Sequence, residues 1–108
     1  MSDGYTILSL DELETAPGAL GFRAAAVSAC KADTGGSLIP QREGTNGREE
    51  LYVVVHGRAT FTVGGEAADA RAGTLVFAPP EAHRAALAEE DGTAVFAVGG
   101  TVGEPHRE

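Results

Sequence analysis

The chain has 108 residues and a formal charge of −8, with 8 basic residues set against 16 acidic ones. A length of this order holds one domain and can bury one core without staples. The acidic balance excludes nucleic acid as the main partner, because phosphate binding needs a basic surface. The lone Cys30 rules out an internal disulfide and fits a reducing compartment. No apolar run approaches membrane-spanning length, and the first residues lack a basic region followed by an apolar run. The expectation is one domain over 1–108 in the cytoplasm, with neither membrane nor nucleic acid as partner.

In chain order, residues 1–20 read as an entry segment, 22–99 as a barrel and 100–108 as a polar tail. Tyr5–Leu10 has the pattern of a first strand. Ser9-Leu-Asp-Glu12 is a capping box, which starts a short helix through Asp11–Thr15. Ala16-Pro17-Gly18 ends that helix. The segment is expected to cover a barrel edge.

Phe22–Ala32 alternates as a strand. Arg23 and Lys31 share one parity, and charged ends belong in water. The other set, Phe22, Ala24, Ala26, Ser28 and Cys30, is therefore assigned to the interior. All but Phe22 are small. Such a wall either leaves room for a ligand or is filled from the opposite side. Cys30 has no histidine near it in sequence and reads as a small core residue.

Ser37–Gln41 reads as a short strand, with its proline at an edge or end. Arg42–Glu49 is a polar loop. From Glu49 to Gly99, four apolar runs alternate with turn signals: LYVVV, ATFTV, TLVFA and TAVFAV. Short β-rich runs at this spacing indicate an all-β sandwich or barrel. Phe61 and Phe77 alternate with smaller residues and are assigned to the core or the pocket lining.

Two spacings carry a family resemblance. Glu50, six residues and Gly57 resemble the end of the first cupin signature; Gly73, five residues and Pro79 resemble the start of the second. The resemblance covers about Ser37 to Gly99. It implies an all-β, cupin-type double-stranded β-helix, a jelly-roll barrel with a pocket between two sheets. It also implies a homodimer, for which strand Tyr5–Leu10 offers an edge. Metal-binding members of the family use His-x-His, a Glu and a further His. Here the first His pair falls on Glu43 and Thr45, or on Gly44 and Asn46, and Arg84 stands at the last His. Only Glu50 survives among those ligands. A guanidinium stays protonated and repels a divalent ion, so neither a metal nor another cofactor is expected.

Arg48, Glu50 and Tyr52 share a strand parity, and Arg84 enters from the second motif. Gln41, Glu43, Arg48, Phe77 and Arg84 are the candidate substrate-binding residues. Glu50, Tyr52 and His83 are the candidate catalytic ones. In one reading, arginines hold a carboxylate, enolate or phenolate while Glu50 or Tyr52 moves a proton. In the other, Glu50 and an arginine form an internal pair and nothing more. The face of His83 stays open. Alternation with Leu87 puts His83 inside, the motif spacing puts Arg84 inside, and a shift of one residue exchanges them. Histidine as a residue type titrates near neutrality, which makes His83 a candidate acid or base. His56 reads as a rim residue and His106 as solvated.

The resemblance therefore implies a barrel that binds a small anionic or aromatic molecule. The first expectation is a metal-independent cyclase, isomerase or lyase, a role that small cupins fill in bacterial secondary metabolism. A binding or sensing module without catalysis is the second. A metal-dependent oxygenase using Glu50 and His83 is the third.

Overall fold

The computed structural model describes residues 4, 6–39, 47–101 and 103. Helix α1 spans Leu10–Thr15, and Pro17–Leu20 forms a 3-10 turn behind it. Seven strands follow: β1 Ala26–Ala32, β2 Glu49–His56, β3 Arg58–Val63, β4 Glu66–Arg71, β5 Leu75–Ala78, β6 Arg84–Ala88 and β7 Thr93–Gly100. They form two antiparallel sheets, one ordered β1-β7-β2-β5 and the other β4-β3-β6.

The capping box forms as expected. Glu12 N donates to Ser9 Oγ (3.1 Å), and Ser9 N donates to Glu12 Oε1 (2.8 Å). Tyr5 lies outside the described residues, and over 6–10 the expected strand is not there. Thr6–Ser9 have no strand pairing, and Leu10 already belongs to α1. The cap dominates here, because it satisfies helix N–H groups locally whereas a strand would need a partner. Helix α1 instead blunts the free edge of β1. Lys31 N donates to Glu14 Oε2 at 3.0 Å, and Lys31 Nζ meets Asp11 at 2.9 Å. An edge N–H that would otherwise offer itself to another chain is thereby occupied.

The four apolar runs become β2, β3, β5 and β7. Strand β4 has the sequence EAADAR, with only Ala70 buried, so its pattern carries no apolar signal. It exists because Gly64 and Gly65 both take positive φ (60° and 86°). That is a two-residue hairpin turn, and it sets Val63 opposite Glu66. Phe22–Ala25 precede β1, and Phe22 is exposed. Ser37 makes a single bridge to Leu87 in place of the expected strand. Leu38 and Ile39 are nevertheless buried. Gln41 and Arg42 lie outside the described residues.

Inward residues of the larger sheet line up in rows across its strands. Glu50 stands between Gly99 and Ala78, and Tyr52 between Ala97 and Val76. Ser28 extends the Tyr52 row through Ala97, and Cys30 pairs with Val95. Across from them the smaller sheet contributes Phe61 and the buried alanines 59, 70, 86 and 88. The Tyr52 and Phe61 rings meet with centroids 5.5 Å apart. Strand β6 has its register fixed by pairing with β3, where Val63 opposes Arg84. Arg84, Ala86 and Ala88 are buried, while Ala85 and Leu87 are exposed.

Candidate functional site

Three side chains meet at one end of the space between the sheets. Tyr52 donates its hydroxyl to Glu50 Oε1 at 2.7 Å, and Arg84 Nη1 reaches the same oxygen at 3.3 Å. Tyr52 and Glu50 sit two apart on β2 and so share its inner face. Arg84 opens β6 in the opposite sheet, so this ion pair bridges the two sheets. It is dry, with side-chain exposures of 0% for Arg84 and 8% for Glu50.

Arg84 does more than pair with Glu50. Its Nε donates to Ala82 O (3.1 Å), and Nη1 donates to Arg48 O (2.9 Å) as well as to Glu50. Nη2 donates to Pro79 O (2.7 Å) and Ala82 O (2.9 Å). A guanidinium has five N–H donors, and each of the five has a protein acceptor. One side chain therefore ties together the start of β2, the Pro79–Ala82 turn and the Glu50 carboxylate. Glu50 has room for its stem only because Gly99 lies beside it. A methyl group there would stand 2.5 Å from Glu50 Cγ.

The phenol of Tyr52 is held well above its ordinary pKa. Burial is the main cause and the bond to Glu50 the next, with Arg84 pulling the other way. Near neutrality Tyr52 is thus a protonated donor and not a phenolate base.

A cavity of about 260 Å³ opens against this cluster. Ser28, Cys30, Glu50 and Tyr52 line one side, and Leu38 and Ile39 line another, with Glu14 of α1 at the boundary. The small side chains of β1 do leave space, and the rings of Tyr52 and Phe61 fill only part of it. Ser28 and Cys30, assigned inward, line the cavity, but so does Ala29 of the set assigned outward, and Ala29 is the buried residue of β1. Leu38, Ile39 and Glu14 had no sequence signal tying them to the site. The first two lie outside any strand, and Glu14 arrives by the fold-back of α1.

Other candidates fall elsewhere. His83 is exposed, since the inward position belongs to Arg84, and it does not converge with Glu50. Phe77 is 55% exposed on the outer face of the larger sheet. Its neighbour Ala78 is the residue that faces inward beside Glu50, so alternation turns Phe77 away. Arg48 precedes β2 and contributes its carbonyl to Arg84. Gln41 and Glu43 lie outside the described residues. His56 sits at a strand end, with Nδ1 3.1 Å from Gly92 O, the rim position expected. Among the described residues, no group of three or more His, Cys, Asp and Glu is close enough to hold a metal ion. No helix among them is long and apolar enough to cross a membrane.

Two antiparallel sheets with a small pocket between them, a Glu on the second strand and an Arg at the start of the sixth facing it, define a small jelly-roll barrel. No family model and no curated protein matches the sequence. Solved structures do match the fold. A cupin protein from Bacteroides fragilis superposes with a TM-score of 0.72 at 20% identity, covering 99% of this chain and 92% of that one. KdgF from a Halomonas species gives 0.65 at 20% identity, over 81% of this chain and 73% of its own. A cupin 2 conserved barrel domain protein from Salinispora arenicola gives 0.62 at 22% identity, over 73% and 65%. The chain has the cupin fold.

Proposed function

We propose that the barrel holds a small organic molecule and acts on it by acid–base chemistry, without a metal ion, as a cyclase, isomerase or lyase. The observation that carries this reading is the Tyr52–Glu50–Arg84 cluster at the wall of the cavity. A guanidinium 3.3 Å from the one carboxylate supplies the positive charge that a metal ion would otherwise supply. That donor set does not fit a divalent cation, which a fixed neighbouring cation repels. Glu50 is left as the group able to take a proton from a bound molecule and return it at a second atom. Tyr52, protonated and bonded to Oε1, orients the carboxylate.

Crystals soaked with a library of neutral, cationic and anionic fragments test this reading. Density between Glu50 and the Leu38–Ile39 segment supports it. Fragments found on outer surfaces only, with the cavity unoccupied, would overturn it. One observation favours a second reading, a carrier or sensor. Every donor of Arg84 is engaged with the protein, which makes that residue a fixture and not a catalyst. A small molecule that co-purifies unchanged would favour the carrier.

Pairing of two copies belongs to the same proposal. The outer face of the larger sheet exposes Val55, Leu75 and Phe77, and Leu51, Val53, Phe96 and Val98 share it. An apolar face on a chain of net charge −8 is the surface on which a second copy meets least repulsion. Paired cupin barrels, implied by the family resemblance, point the same way. The chain has one cysteine and so forms no internal disulfide, which keeps the cytoplasm as the proposed compartment.

A further inference from the structure

We infer that the ligand of this cavity is a hydrogen-bond donor, a neutral hydroxyl or amine compound or a small cation, and not an anion. This rests on the reading that the cavity holds a small organic molecule.

A count of donors and acceptors on the lining leads there. The Arg84 cation cannot receive a ligand, because its five N–H groups are directed to Ala82 O, Arg48 O, Pro79 O and Glu50. The Tyr52 hydroxyl has one proton, and it is donated to Glu50 Oε1. Toward the cavity Tyr52 has only lone pairs to offer. Glu50 is 93% buried by its residue exposure of 7%, and among the described residues nothing bonds its Oε2. Among the described residues no buried side-chain oxygen or nitrogen lacks a partner, so the unbonded Oε2 keeps some exposure, and Glu50 lines the cavity. Glu14 adds a second carboxylate at the boundary, with Oε2 already accepting from Lys31 N. Ser28 alone among these polar groups can either donate or accept.

Among the described residues, a carboxylate or phosphate placed here would meet Glu50 with the Ser28 hydroxyl as the one side-chain oxygen or nitrogen donor not already committed. A second anion beside the Glu50 carboxylate, whose partner Arg84 has no N–H left to give, is costly to bury. An O–H or N–H group would instead satisfy Oε2 while its apolar body lies on Leu38, Ile39 and Val95. The charge of the whole chain, −8, acts in the same direction.

Three probes that share one ring test the inference: benzylamine, benzyl alcohol and benzoate. Each is titrated into the wild-type protein near neutral pH, with amide and methyl shifts of Leu38, Ile39 and Val95 locating the binding. Benzylamine and benzyl alcohol are expected to perturb those residues, and benzoate to bind at least about tenfold more weakly. In Glu50→Gln, whose side chain also donates, the amine should lose that advantage and benzoate should gain. Benzoate binding in the cavity as tightly as benzylamine would overturn the inference and leave the binding cavity standing. If none of the three perturbs the lining residues, the cavity reading falls and the inference falls with it. The order in the wild-type protein decides the matter even if Glu50→Gln does not fold.

Discussion

Arg84 and Glu50 pair across the two sheets at 3.3 Å, and the guanidinium carries four further bonds to backbone carbonyls. The pair is therefore a structural joint as well as the polar end of a cavity. Removing Arg84 leaves a buried carboxylate without its cation. Arg84→Ala should cost on the order of 3 kcal/mol. Replacing both partners by apolar residues often restores stability where a pair stands alone. Here the carbonyls of Arg48, Pro79 and Ala82 also lose their donors. The double variant Glu50→Leu/Arg84→Met should stay destabilised by at least about 1 kcal/mol. Denaturant melts of the two singles and the double measure this, and full recovery in the double would show the carbonyl bonds to be idle.

His83 serves as the control for register. It is exposed one residue away from a fully buried arginine. His83→Ala should change stability by only a few tenths of a kcal/mol, as surface substitutions do. A loss comparable to that of Arg84→Ala would mean that the opposite face of β6 is inside.

Tyr52 gives a pH-dependent signal. Its folded pKa is raised above the ordinary phenol value, so the folded state binds that proton more tightly than the unfolded state. The stabilisation is complete below about pH 10 and is lost as pH rises further. In a Tyr5→Phe background, phenolate absorbance should not appear near pH 10 while the protein is folded, and should appear on unfolding. A native titration at the ordinary value would contradict the buried bond to Glu50. Tyr52→Phe should cost about 2 kcal/mol, since it removes a bond to a charged group.

The barrel was legible where apolar runs alternate with glycine turns, because that pattern reports both the strand period and its breaks. Glu50 and Arg84 were legible as facing positions through the motif spacing. Alternation in β6 could not decide their register, since Leu87, a large apolar residue, is the one that points outward. Phe77 misled for the same reason: an apolar side chain was assigned to the interior, and the sheet turned it out. The saturation of Arg84 left no trace in the sequence, because its acceptors are main-chain carbonyls that every residue carries. Strand β4 was missed because the hairpin turn, and not its own side chains, sets it in place.

Gly99 tests how closely the backbone must approach Glu50. Its need is for space, since a methyl would overlap the Glu49 carbonyl oxygen and stand 2.5 Å from Glu50 Cγ. Gly99→Ala should destabilise by about 1–3 kcal/mol through overpacking. The same variant should weaken binding of benzyl alcohol in the cavity by displacing the carboxylate. A silent Gly99→Ala would mean that the β2 and β7 backbones do not approach this closely at Glu49 and Glu50.

The outer face makes a separate forecast. Light scattering at micromolar concentration should give the mass of two chains, and Leu75→Ser with Phe77→Glu should give the mass of one. Both residues are more than half exposed in the single chain, so the monomeric variant should keep its fold by circular dichroism. A wild-type monomer would remove the pairing proposal.

In the proposed function Arg84 takes the place of a metal ion beside Glu50. Elemental analysis of protein purified without chelator tests it most directly. Iron, manganese, nickel and zinc should all be far below stoichiometric, and unchanged in Glu50→Gln. Stoichiometric content of any one of them, lost in Glu50→Gln, would contradict the account.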